Sequence, residues 1–196
     1  MINESGLKNI LQGSEEHLQA LKSMDPKVRQ KAIIEIKKAI SKKIMTQMSS
    51  DKARELFEPI TLLMRQLLQD TNSDIYLESL NLLKFIVGSL APSLSSLDLH
   101  LMMGSFVGII VQNTVSGNMR IQVASDKVII FFAKHQSIGP FVIAKEVTKN
   151  IEKINKAVSG SQNKAAVLQD KKSVLLRFYN ILQMLLTQFS IVLCYQ

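Results

Sequence analysis

Three histidines, one cysteine and a scatter of carboxylates are the side chains of this 196-residue sequence that could move protons, hold a metal or attack a substrate. His17, His100 and His135 lie far apart, without the short spacing that pairs metal ligands on one element. Cys194 falls in an apolar terminal stretch, where a thiol is buried and inert rather than ionised and nucleophilic. As the single cysteine it makes no intramolecular disulfide, which suits a reducing compartment. Glu15, Glu16, Glu35, Glu55 and Glu58 fall on polar helix faces with no evident partner, and no phosphate-cradling glycine loop is present. These residues argue against an enzyme, and call for no cofactor and no metal.

The cations carry more information. A formal net charge of +8 and a pI near 9.6 direct the chain toward acidic partners. Two lysine clusters, Lys37, Lys38, Lys42, Lys43 and Lys145, Lys149, Lys153, Lys156, could meet nucleic-acid phosphates. Few aromatics interleave with them, and the first cluster has the pattern of a solvated helix face, so nucleic acid is disfavoured. The Lys145 to Lys156 stretch has amphipathic faces, but its apolar side is needed for packing, which disfavours a membrane surface. The remaining cations stand where helices begin. Lys27, Arg29, Arg120, Lys171 and Lys172 lie beside backbone N–H groups of helix starts, a combination that seats carboxylates or phosphates, while Ser73 and Asp74 leave one start neutral to acidic.

Positioning such residues requires a regular scaffold, and the sequence has one. Asp25-Pro26-Lys27-Val28-Arg29, Asn72-Ser73-Asp74-Ile75-Tyr76, Gly117-Asn118-Met119-Arg120-Ile121 and Gln169-Asp170-Lys171-Lys172-Ser173 each read as a polar turn opening an amphipathic helix. Their separation of roughly 45 to 53 residues meets, at its lower end, the roughly 40 to 47 of HEAT and armadillo units. Hydrophobic residues make up 46% and aromatics only 6%, with eight Gly and four Pro, so the core is aliphatic and the class all-α. Helix pairs of this kind stack into a solenoid with turns along one edge.

Ser14 is read as the cap of a short helix from Glu15, and Asp25 and Asn118 as caps of long ones. Asp51 is assigned to the start of a helix holding Pro59, Gly88 to the end of another, and Ser96 or Asp98 to the start of a helix apolar almost all round. Met119 and Val123 are placed inward with Val128 and Phe132, Gly139-Pro140 opens a fourth pair, and 155–163 reads as a polar insertion before a last helix from about Lys172. That last helix is apolar enough to be a cap or to continue into further structure. No signal-peptide pattern opens the chain, and the runs Leu101 to Val111 and Ile181 to Cys194 fall short of the roughly 18 to 20 residues that span a bilayer. A soluble intracellular chain is expected, with a leader at 1–13 and a single domain at 14–196.

The start at Asp25-Pro26-Lys27-Val28-Arg29-Gln30-Lys31-Ala32, with Asn118 to Ala124, resembles the second helix of HEAT units. More narrowly, Leu56 to Pro59, Ser79 to Lys84 and Gly117 to Ala124 followed by Ile130-Phe131-Phe132 resemble TOG domains, the tubulin-binding HEAT arrays, and within them the single TOG domain of the centrosomal, ciliary-tip TOG protein family. The resemblance runs from about Ser14 to Phe189. It implies an all-α HEAT-repeat α-solenoid, a TOG-like paddle of about four helix pairs, whose turns grip αβ-tubulin. Carried over residue by residue, the contacts are Met24, Asp25, Pro26 and Lys27, then Ser73 and Asp74, then Asn118, Met119 and Arg120, then Lys171 and Lys172. Many TOG domains place a Trp in the first turn; this chain has none, so Met24 or Met119 would have to be the apolar anchor. The resemblance further implies a role at microtubule ends of a centriole or cilium tip, as a monomeric domain of a larger cytoskeletal protein. The competing class is a HEAT or armadillo scaffold that binds an acidic peptide or protein without tubulin affinity.

Overall fold

A computed structural model describes residues 15–45 and 50–193; the leader at 1–13, the Ser14 cap and Cys194 lie outside them. Among the described residues the chain is helical without strands. It divides into two compact units, residues 1–102 and 103–196.

The first unit holds α1 (Glu15–Ala20), α2 (Pro26–Met45), α3 (Ser50–Leu67), α4 (Ser73–Leu90), a short 3₁₀ turn (Ala91–Ser93) and the start of α5 (Ser96–Asn113). Helix α2 packs on α1 and α4, and α3 on α4. Their sequences dictate this. Ala32, Ile33, Ile36 and Ile40 recur at helical spacing on α2 and are buried, and Leu56, Ile60, Leu63, Met64 and Leu67 do the same on α3. Helix α4 buries Ile75, Tyr76, Leu80, Leu83, Ile86 and Val87, each contributing about 1.5–3 kcal/mol if fully withdrawn from water. The buried Ser79 hydroxyl donates to the Ile75 carbonyl at 2.7 Å and is thereby satisfied.

The second unit holds the rest of α5, then α6 (Met119–Lys134), α7 (Gly139–Gly160) and α8 (Lys164–Leu193). Helix α7 packs on α6 and, more extensively, on α8. Val128, Ile129 and Phe132 of α6, Ile143, Val147 and Ile151 of α7, and Leu175, Phe178, Ile181 and Leu185 of α8 are buried. An Arg177 to Asp126 hydrogen bond ties α8 to α6. The chain turns into α7 at its first residue, Gly139, where φ is +72°, a conformation that suits a residue without Cβ.

Several boundaries and orientations differ from those expected. Helix α4 runs past Gly88 to Leu90. Ser50 begins α3, so Asp51 lies in its first turn. Ser95 rather than Ser96 or Asp98 caps α5: its Oγ accepts the Asp98 N–H at 3.0 Å, and its carbonyl accepts the Leu99 N–H. Leu97 and Leu101 on α5, and Met119 and Val123 on α6, are exposed because the buried face of each helix is the one carried by Met103, Phe106 and Ile110, or by Val128 and Phe132. The largest difference lies at 155–163. Residues up to Gly160 remain helical, held by Ile151, Ile154 and Val158 on the inward side, and only 161–163 form the connection.

Candidate interface at the helix-start turns

Each long helix following a turn needs partners for its first N–H groups, and the same three-residue device supplies them four times. Ser23 Oγ accepts the Asp25 N–H at 3.2 Å, and Asp25 Oδ1 accepts the Lys27 N–H at 2.9 Å. Asp70 Oδ1 accepts the Asn72 N–H at 2.8 Å, and Asn72 Oδ1 accepts those of Asp74 and Ile75 at 3.0 and 3.3 Å. Ser116 Oγ accepts the Asn118 N–H at 3.2 Å, and Asn118 Oδ1 that of Arg120 at 2.9 Å. Ser161 Oγ accepts the Asn163 N–H at 3.1 Å, and Asn163 Oδ1 that of Ala166 at 3.2 Å. Every cap carbonyl then accepts the N–H four residues on. The caps at 25, 72, 118 and 163 stand 47, 46 and 45 residues apart, within the HEAT interval.

This geometry corrects the fourth turn. Lys171 and Lys172 are exposed residues inside α8, about 10–12 Å along the helix from its start at 1.5 Å per residue, and Lys171 pairs with the adjacent Asp170 at 2.7 Å. The cation at the turn itself is Lys164, the first residue of α8, which is exposed. Its signal in the sequence was Ser161-Gln162-Asn163, a repeat of Ser116-Gly117-Asn118 and Ser23-Met24-Asp25.

Arg29 also changes role. Its Nε and Nη2 donate to the two Asp70 oxygens at 3.0 and 3.1 Å, and its Nη1 donates to the Ser23 and Met24 carbonyls at 2.8 and 3.2 Å. The two side chains are only 15% and 17% exposed. A fork held on both sides binds the first turn to the second and leaves no guanidinium face for an outside carboxylate. Gln122 occupies the matching place after Asn118 and donates to the Ser116 carbonyl.

Outward, the turns present Met24 at 94% exposure and Met119 at 75%, with Asp25, Pro26, Lys27, Asp74, Asn118 and Arg120 exposed and Ser73 half-buried. In the first unit Met24 to Lys27 and Ser73 with Asp74 flank the Arg29–Asp70 link. In the second, Asn118, Met119 and Arg120 form one turn and Lys164 begins the helix after the other. Of the first lysine cluster, Lys38 donates to Glu35 at 2.8 Å, holding that carboxyl below its ordinary range, and Lys37 Nζ lies 5.5 Å from the Phe85 ring centre. His135 caps the end of α6 and its Nδ1 accepts the Ser137 N–H at 3.3 Å, while His17 and His100 lie on α1 and α5. Among the described residues no group of three His, Cys, Asp or Glu is placed to hold a metal ion, and no helix is long and apolar enough to cross a membrane.

No family model matches the sequence, and no curated protein does. Solved structures do match. The structure of the TOG domain of human Cep104 superposes with a TM-score of 0.68 at 17% identity, over 94% of this chain and 65% of that one. A second, the CEP104 TOG domain, gives 0.59 at 15% identity, over 96% of this chain and 84% of that one. This chain thus spans about two thirds of the first structure's length. With helices only, and caps recurring at the HEAT interval, it has the TOG fold, an all-α HEAT-like solenoid.

Proposed function

We propose that the chain is a tubulin-binding module that grips αβ-tubulin through its helix-start turns and acts on microtubule ends at a centriole or cilium tip. The observation that carries this reading is the TOG fold joined to four capped turns at near-constant interval, because it is the turns that a TOG domain offers to tubulin. The contacts would be Met24, Asp25, Pro26 and Lys27 in the first turn, Ser73 and Asp74 in the second, and Asn118, Met119 and Arg120 in the third. Lys164 would serve the fourth, with Lys171 and Lys172 flanking it along α8. Met24 and Met119 supply flexible apolar anchors where a Trp is lacking, and the cations supply complementarity to an acidic surface. Residues 14–196 would act as one module, as the 94% coverage by a single TOG domain supports. No chemistry is required, only grip and selection of a tubulin shape.

The test is co-elution with αβ-tubulin on size exclusion. Arg120→Glu combined with Lys164→Glu, Lys171→Glu and Lys172→Glu is expected to weaken the complex at least about tenfold, or ~1.4 kcal/mol, with the helical circular dichroism unchanged. Co-elution equal to that of the unaltered chain would sink the proposal.

A further inference from the structure

The second lysine cluster has no part in the turns, and its placement on α7 is ordered. Lys145, Lys149, Lys153 and Lys156 follow one another at four, four and three residues, which confines them to about 80° of the helix circumference. All four are exposed, while Ile143, Val147, Asn150 and Ile151 hold the opposite face in the core. At 1.5 Å per residue the ladder is about 16 Å long, with rungs about 6, 6 and 4.5 Å apart. Two acids lie near it: Glu146, which takes the Lys149 ammonium at 2.5 Å, and the exposed Glu152. The surrounding charge is one-sided. Residues 1–102 carry 13 Lys and Arg against 12 Asp and Glu, whereas 103–196 carry 11 against 4, so the second half holds +7 of the net +8. Three of its four acids, Asp126, Glu146 and Asp170, are already paired with cations of the same half.

We propose that the Lys145–Lys156 ladder is a docking surface for an acidic, extended polypeptide segment. Side chains on one side of an extended strand repeat about every 6.6 Å, close to the two wider rung spacings, and the roughly five residues that span the ladder bring about three side chains against it. Alternate carboxylates of a glutamate-rich stretch therefore meet Lys145, Lys149 and Lys153 in turn without distortion of either backbone, with Lys156 beside the last of them. Single-stranded nucleic acid fits less well, because it relies on a series of aromatic platforms. The side chains between the rungs are Thr148, Glu152 and Asn155, and a single half-exposed ring, Phe141, stands one turn before Lys145. An anionic membrane fits less well too, since the apolar face of α7 is spent inside the unit. The surface is independent of the tubulin reading.

Fluorescence anisotropy of a labelled octaglutamate peptide with the full chain tests it. Binding is expected at about 50 mM salt, to weaken steeply toward about 200 mM, and to fall at least about tenfold when all four lysines are changed to Gln. Should that variant lose helical circular dichroism, Lys153→Gln with Lys156→Gln decides: a loss of at least about threefold, restored by Arg at both positions, supports the ladder. The Lys27→Glu, Arg120→Glu variant is expected to bind the peptide as the unaltered chain does, which separates this outcome from that of tubulin binding. Unchanged peptide affinity in the ladder variants overturns the proposal. So does tighter ladder-dependent binding of a twelve-residue oligothymidylate, or of vesicles containing phosphatidylserine.

Discussion

At the scale of single residues, the roles of Arg29 and the glycines are fixed by their surroundings. Arg29→Ala removes four hydrogen bonds and leaves Asp70 without its countercharge in a mostly buried place, so it should destabilise the chain by about 2–3 kcal/mol in urea unfolding. Arg29→Lys should recover less than half of that, since one ammonium cannot serve both sides of the fork. Two Gly→Ala changes should have opposite signs. Gly88 lies inside α4 with nothing within 4 Å of an added Cβ, so Gly88→Ala should stabilise by about 0.5–1 kcal/mol. Gly139 has φ +72°, so the same change there should cost about 1 kcal/mol despite equal open space. Thermal unfolding of the two variants checks both.

At the scale of elements, the four caps order the turns proposed as the interface, and the fourth sets a prediction. If the helix start rather than the helix body meets tubulin, Lys164→Glu should weaken co-elution more than Lys172→Glu does, and Asn163→Ala should lower stability by about 1 kcal/mol through the lost cap. Equal effects of the two lysine changes would move the contact onto the body of α8. The first and third turns were legible because Asp25-Pro26 and Asn118 stand directly before an amphipathic pattern, and local signals and packing agree there. The fourth was misplaced because Asn155, Ser159 and Gly160 have loop propensities, while Asp170-Lys171 resembles a cap with a following cation. Packing of α7 on α8 overrides that weak preference and keeps the helix intact to Gly160. Which apolar side chains would be exposed was also not legible, since Met119, Leu176 and Tyr179 repeat at helical spacing but lie beside the buried face rather than on it.

At the scale of the whole molecule, the surplus charge of 103–196 should make association with acidic partners salt-sensitive: tubulin co-elution should decline as salt rises from about 50 to 300 mM, and salt-independent co-elution would assign the grip to Met24 and Met119 instead. The all-α class and the repeat interval were legible from composition and period, because both are averages over many residues. The bond between the first two turns was not, because residues 29 and 70 are 41 positions apart and nothing in either neighbourhood announces the other. That bond has a consequence for how mutations would be interpreted. Arg29 acts as a strut of fixed length, so in the proposed contact Met24 and Asp74 would reach a partner as parts of one piece rather than as two loops searching separately. A scan that changed Asp70 to Asn would then score position 70 as a contact, although the residue sits behind the surface and works only by keeping its neighbours in step.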